Sequence, residues 1–216
     1  MKNMLYKEFR LVTHPTVLIF YVLSAMLLIP NYPYYVVFFY GSLGIFFSCQ
    51  GARENNDIMY TITLPIMKSE LVRARMLFAV IVELVQLALA AVFAVVRSKI
   101  PGFGPNLAGM DANISLFALA LIMMGIFNFV FFTAYYRNPN KVGKSFAAAS
   151  VVQFLFIAVA ETMVHIVPFM KHKLDTPDPE HLAVKLAVLA VGLVVYIMLT
   201  YIAGRKAVRS FEKLDM

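Results

Sequence analysis

From Ile114 to Tyr135 the chain carries no charged side chain, and five other stretches are nearly as apolar. A helix needs roughly 20 apolar residues to cross about 30 Å of hydrocarbon. The runs lie at about 16–29, 34–50, 76–96, 114–135, 146–168 and 182–203. In lipid every backbone N–H and C=O must find its partner within the protein, so such spans are helices. Transmembrane strands would alternate apolar and polar residues, whereas these runs are continuous. The first run is short and is stopped by Pro30 and Pro33. It follows Lys2, Lys7 and Arg10, but no small-residue cleavage site comes after it, so it reads as an uncleaved span. The expected fold is all-α integral membrane: one domain over 1–216, a bundle of six transmembrane helices.

Composition agrees with that reading. Of 216 residues 61% are hydrophobic and only 14% charged, with a mean hydropathy of +0.77. A soluble domain carries charge on about a quarter of its residues. The lone Cys49 excludes an internal disulfide and a Cys-based zinc site. The net charge of +7 does not point to nucleic acid, because the basic residues flank the apolar runs and form no block interleaved with aromatics. Six spans divide these residues unevenly. One side receives Lys2, Lys7, Arg10, Arg53, Lys68, Arg73, Arg75, Arg137, Lys141, Lys144, Arg205, Lys206, Arg209 and Lys213. The other receives Arg97, Lys99, Lys171, Lys173 and Lys185. The positive-inside rule then puts both termini in the cytoplasm. The tyrosines of Asn31 to Tyr40 read as an interfacial belt on the outer surface.

The stretch Arg137 to Ser145, RNPNKVGKS, ends like a phosphate-binding loop. That loop needs a glycine five residues before Gly143 and a buried strand ahead of it. Asn138 stands in that place, and an apolar span precedes it. Lys141 and Lys144 therefore read as membrane anchors of the fifth span, with Ser145 as its cap.

The segment Ala52 to Arg75 has more internal design. Arg53, Glu54, Asn55, Asn56 and Asp57 form a polar turn rich in helix-capping residues. Ile58, Met59 and Tyr60 open a short apolar run that ends at Leu64 and Pro65, too short to span. Ser69 is placed to cap a helix that starts at Glu70 and enters the third span. A short surface helix between two spans is expected; a plain tether with an amphipathic turn has the same pattern.

With its amphipathic opening MKNMLYKEFRLV, its acidic-polar turn and the pattern YTITLPIMKSELVRAR, the chain resembles the permease subunit of a bacterial ABC exporter, in the small six-span form of the type-2 permease family. The resemblance covers essentially the whole chain. It implies a short N-terminal amphipathic helix and a cytoplasmic coupling helix, here at about 53–63, which sits in a cleft of a separate ABC ATPase subunit. It also implies a dimer of two permease chains, homo- or heteromeric. ATP and magnesium would bind the partner, leaving no cofactor, metal or catalytic residue in this chain. The cargo class is amphipathic, a peptide, lipid-like molecule or drug, with peptide favoured by the resemblance to small peptide-exporting permeases.

Ionisable groups inside a span are costly and so are candidates for function. Glu83 and Gln86 stand three residues apart on the third span, hence on one face. Asn128 lies in the fourth span, and Gln153, Glu161 and His165 in the fifth. Two readings stand for these six residues: a polar lining for the pathway, or interhelical hydrogen bonds that hold the bundle. The rival functions are an ion-coupled secondary transporter using Glu83 and Glu161, an intramembrane enzyme, and an immunity or assembly factor without transport. Glu83 and Glu161 stand at different depths, which counts against the enzyme.

Overall fold

The computed structural model describes residues 2–101 and 104–214 and contains no strand among them. Gly102 and Phe103 lie outside the described residues. The helices are α1 (Lys2–Lys7), α2 (Thr16–Val22), α3 (Tyr35–Glu54), α4 (Asp57–Ile62), α5 (Lys68–Lys99), α6 (Ile114–Tyr135), α7 (Val142–Ile166) and α8 (Leu182–Glu212). A π-helical turn, Glu8–Val12, prolongs α1, and a 3₁₀ segment, Leu23–Leu28, prolongs α2.

Among the described residues five helices are long and apolar enough to cross a membrane: α3, α5, α6, α7 and α8. The first expected span differs. Lys2–Val12 and Thr16–Leu28 reach that standard only as a pair bent by 84°. Proline explains the bend. Pro15 has no N–H and disfavours helical geometry at His14. The His14 N–H, freed from the helix, donates instead to Ser48 Oγ on α3 at 3.0 Å.

Two cap assignments are corrected. Helix α5 starts at Lys68 with Met67 before it in extended conformation, so Ser69 lies inside the helix and does not cap it. Likewise Ser145 lies in the first turn of α7, where its Oγ donates back to the Lys141 carbonyl at 3.4 Å. Residues four apart in a helix face each other, and a serine there bonds backwards. Lys141 and Lys144 are exposed at that end.

Buried side chains gather in two clusters along the bundle. At the end that holds the termini, Phe78, Phe127, Phe131, Tyr135 and Phe211 are fully buried. Phe127, Phe131 and Tyr135, four residues apart on α6, stack with centroids 5.0 and 5.6 Å apart. At the far end the core includes Tyr34, Tyr35, Phe38, Leu116 and Met123. Tyr34 and Tyr35 are thus packed inside and form no interfacial belt. Their hydroxyls donate to the Ile29 carbonyl and to Met110 Sδ, which satisfies them without water.

Of the five spans α6 is the most enclosed and α8 the least. The two pack very closely because each offers a glycine. A Cβ on Gly192 would overlap the Ala118 carbonyl oxygen, and one on Gly125 would lie 3.1 Å from Tyr196 Cα. Small residues at the contact are the usual means by which membrane helices gain van der Waals packing, since lipid gives no hydrophobic force between them.

The far end is closed by pinned loops. Asn113 caps α6, accepting from the Ser115 and Leu116 N–H groups at 2.9 and 3.1 Å while its Nδ2 donates to the Leu174 carbonyl at 2.8 Å. Arg97 pairs with Asp111 at 3.3 Å, and Lys185, fully buried, pairs with Asp178 at 2.7 Å.

Candidate functional site

The expected coupling segment folds as a helix hairpin at the end of the termini. Helix α3 ends at Glu54, Asn55 follows, and Asn56 takes left-handed backbone with φ 52° before α4 begins at Asp57. Asparagine is among the few residues that visit this region readily. The single left-handed residue turns the chain sharply, so α4 lies against the bundle and does not extend α3.

Two faces of α4 then diverge. Ile58 and Thr61 are buried, and the Asp57 side chain is only 12% exposed. Met59 and Tyr60 point outward, 51% and 69% exposed, and Arg53, Glu54, Asn55 and Asn56 are exposed beside them. Gln50 Nε2 holds Glu54 at 2.7 Å. A notch of about 110 Å³ runs between this hairpin and the next loop at the same end, lined by Arg53, Asn56, Met59, Pro139 and Asn140 among others.

The inward face is tied down by ions. Lys7 Nζ donates to both Asp57 carboxylate oxygens, at 2.8 and 3.0 Å, and to Thr61 Oγ1 at 3.0 Å. Arg75 Nη2 donates to Asp57 Oδ2 at 2.6 Å and to Glu8 Oε1 at 3.1 Å. Its Nε donates to Glu8 Oε2 at 2.8 Å and its Nη1 to the Tyr135 hydroxyl at 3.1 Å. The Arg75 and Glu8 side chains are wholly buried. Two cations and two anions thus join α1, α4, α5 and α6 in one neutral network. Burial alone pushes the Asp57 carboxyl up, but Arg75 and Lys7 outweigh it and hold the group below its ordinary range.

Sequence reasoning assigned Asp57 to a docking surface. Its carboxylate faces the bundle, and Met59 and Tyr60 take the outer positions. It also missed Lys7, Glu8, Thr61, Arg75 and Tyr135 as a set. One signal was present: Leu71, Arg75, Phe78 and Val82 recur at helical spacing, so Arg75 stands on the buried stripe of α5.

The polar residues of the spans are brought into separate groups. Glu83 Oε2 accepts from the Tyr196 hydroxyl at 2.7 Å and from Asn128 Nδ2 at 2.9 Å, joining α5, α6 and α8. Asn128 Nδ2 also reaches Thr200 Oγ1 at 3.2 Å. Gln86, one turn on, turns to other neighbours: Ser24 Oγ at 3.0 Å and the Val37 carbonyl at 3.2 Å. Gln153 Nε2 donates to Ser42 Oγ at 3.0 Å. Each of these four residues bridges helices. Glu161 accepts from the Met110 N–H at 2.9 Å, with Gly109 lying so close that a Cβ there would overlap its carboxylate. His165 is exposed. Glu83 and Glu161 do not meet. Among the described residues no three His, Cys, Asp or Glu side chains come together as a metal site.

A search of curated proteins matched none, and no solved structure matched. The family described as ABC-2 family transporter protein matches residues 3–208. With its several membrane-crossing helices, the chain belongs to the ABC-2 transporter family and is a multi-pass membrane permease of an ABC transporter.

Proposed function

We propose that this permease is the membrane half of an ATP-driven exporter in the bacterial cytoplasmic membrane, with both termini in the cytoplasm. A separate ABC ATPase, which itself binds the ATP and magnesium, docks on the hairpin Arg53 to Thr63; a second permease chain completes the pathway. The observation that carries the reading is the two-faced α4. Its outer face offers Met59 and Tyr60 rimmed by charge and amide groups, which suits insertion into a partner's groove. Its inner face is joined through Asp57 to Arg75 at the base of α5, and through Arg75 to α1 and α6.

Closure of the ATPase on Met59 and Tyr60 pushes α4. The push passes through the Asp57 pairs to the lower end of α5, and α5 carries it to the Glu83, Asn128 and Tyr196 junction. A rigid ionic joint suits this role, because packed elements of this kind shift between discrete arrangements and do not deform gradually. The cargo is amphipathic, in keeping with the apolar faces left open along the spans, and a peptide is the first class to try.

The test is copurification. The permease is expressed with its candidate ATPase, purified and reconstituted in vesicles, and hydrolysis is measured with and without amphipathic peptides. Stimulation by cargo in the complex is expected. Transport that follows a proton gradient and needs no ATPase would overturn the reading in favour of an ion-coupled carrier.

A further inference from the structure

A long groove of about 770 Å³ runs between α5 and α8, away from the ionic network. Helices α5 and α8 run antiparallel, with Tyr196 beside Glu83 and Gly204 beside Met76. The groove therefore starts at Arg73 and Arg209, near the end of the termini, and rises to Tyr196. From Arg209 to Tyr196 is about 20 Å of helix at roughly 1.5 Å per residue. Arg73, Arg205 and Arg209 all line its lower end, and all three are exposed. Arg205 lies over the ring of Tyr201 at 5.8 Å. No carboxylate lines the groove, and no ion pair reaches these three arginines among the described residues. Glu70 and Glu212, one turn from Arg73 and Arg209, stand outside the lining. Above the arginines the walls are mostly aliphatic, and the polar atoms of Thr200 and Tyr196 are engaged with Asn128 and Glu83.

We infer that this groove holds an anionic phospholipid of the leaflet on the side of the termini, its phosphate among Arg73, Arg205 and Arg209 and an acyl chain along α5 and α8. Three features fix the occupant. The charge is of one sign and unpaired, so the head is anionic; arginine forks match phosphate oxygens. Above Arg205 the apolar part climbs about 14 Å of helix to Tyr196, close to the depth of one leaflet of a 30 Å hydrocarbon core. The basic cluster stands at the level where lipid phosphates lie, because it sits on the first turns of α5 and the last turns of α8. A second copy of the chain fits less well. A two-fold interface sets the same patch against itself, which would oppose three arginines to three arginines with no carboxylate in the lining between them. This inference concerns lipid alone and does not depend on the ATPase.

The experiment is lipid retention by the purified full chain, read by native mass spectrometry after incubation with phosphatidylglycerol or phosphatidylcholine. Wild type is expected to keep phosphatidylglycerol in preference to phosphatidylcholine. Replacing Arg73, Arg205 and Arg209 together by Gln should reduce that preference at least about tenfold, given the attraction of each basic residue for an anionic surface. Replacing Arg137, Lys141 and Lys144 together by Gln removes equal charge elsewhere at the same end and should leave it unchanged. Gly204→Trp keeps all three arginines but fills the groove, since only Met76 Cε, at 3.9 Å, would touch a Cβ there. It too should release the lipid. Equal losses in the two charge-removed variants, or full retention in Gly204→Trp, would overturn the site. So would efficient disulfide formation between two copies carrying Tyr201→Cys, which would show that a second chain covers the groove.

Discussion

Arg75 Nη2 on α5 stands 2.6 Å from Asp57 Oδ2 on α4, so the surface helix is tied to a spanning helix by an ion pair that is nearly closed to solvent. Arg75 also holds Glu8, and neither Arg75 nor Glu8 has any exposed side-chain surface. Removing one member of such a network leaves a buried charge without its partner, at a cost of about 3–5 kcal/mol. Arg75→Met is therefore expected to lower stability by that order. The free, buried Cys49 supplies the measurement, because a thiol dye labels it only on unfolding. Glu8→Gln with Arg75→Met should cost less than the two single losses combined, as coupled partners do. Unchanged labelling temperature in Arg75→Met would show that the network adds no stability.

Gly192 and Gly125 set the distance between α6 and α8. A methyl at Gly192 meets the Ala118 backbone, which cannot rotate away, whereas one at Gly143 meets nothing within 4 Å. Gly192→Ala should cost about 1–3 kcal/mol, the range of overpacked contacts. Gly125→Ala should cost less, and Gly143→Ala should be neutral or slightly stabilising in its helix. The order of the three unfolding temperatures in detergent is the check, and a neutral Gly192→Ala would contradict the close approach.

The spans were legible because lipid demands long apolar helices, and the runs from Tyr35 to Ala203 show them directly. The first was not. Pro15 divides it from the amphipathic opening, and periodicity does not report an 84° bend. Ser69 and Ser145 have the chemistry of caps but stand inside their helices, since the helix continues wherever its backbone finds partners. At the candidate site the short helix between two spans was legible from its amides and Pro65. The inward turn of Asp57 was not, because it depends on Lys7 and Arg75, which are distant in sequence and look like membrane anchors when read as charges alone.

Glu83 offers a test of structure against pathway. Its Oε2 accepts two hydrogen bonds, and its Oε1 has no partner among the described residues. Glu83→Gln retains an acceptor for Tyr196 and Asn128, so the bundle should assemble. Glu83→Leu leaves the Tyr196 hydroxyl buried and unpaired and Asn128 Nδ2 with Thr200 Oγ1 alone, which costs about 1–3 kcal/mol for the group left unsatisfied. A stable Glu83→Gln that no longer transports would assign the charge to the cargo path. An unaltered transport rate would assign Glu83 to packing alone.

Asp175 gives a pH dependence at the opposite end. Burial, with the nearby Asp111 charge, raises its carboxyl from 3.8 to about 6, although the Asp111 N–H, His165 and Lys185 pull it down. Between those values the folded chain binds more protons than the unfolded one, so this group makes stability fall as pH rises through the window and leaves it flat above. Asp57, held low, acts in the opposite sense: its contribution is present above the ordinary carboxylate range and is lost as the medium becomes more acid. Asp175→Asn keeps an acceptor for the Asp111 N–H, now 2.7 Å away. It should raise the melting temperature above about pH 6 and leave it unchanged below 3.8. Circular dichroism melts across the range are the measurement, and a shift of equal size at both extremes would sink the assignment.

The proposed function puts docking and transmission on opposite faces of α4, which makes the two separable. Tyr60, 69% exposed, makes no hydrogen bond through its side chain among the described residues, so Tyr60→Ala should leave the unfolding temperature alone. If the ATPase seats on it, truncating an aromatic anchor should cost about 2 kcal/mol, roughly thirtyfold in affinity. Asp57→Asn is the complementary change. It keeps the shape of α4 and its exposed Met59 and Tyr60 but removes the charge that holds Lys7 and Arg75. The ATPase should still bind this variant, while cargo-stimulated hydrolysis falls, because the push on α4 no longer reaches α5. Binding is read by pull-down in detergent and coupling by hydrolysis with and without cargo in the same preparations. If Asp57→Asn loses the ATPase while Tyr60→Ala keeps it, the two faces have been assigned the wrong way round. If both variants bind and respond to cargo like the parent, α4 has no part in coupling.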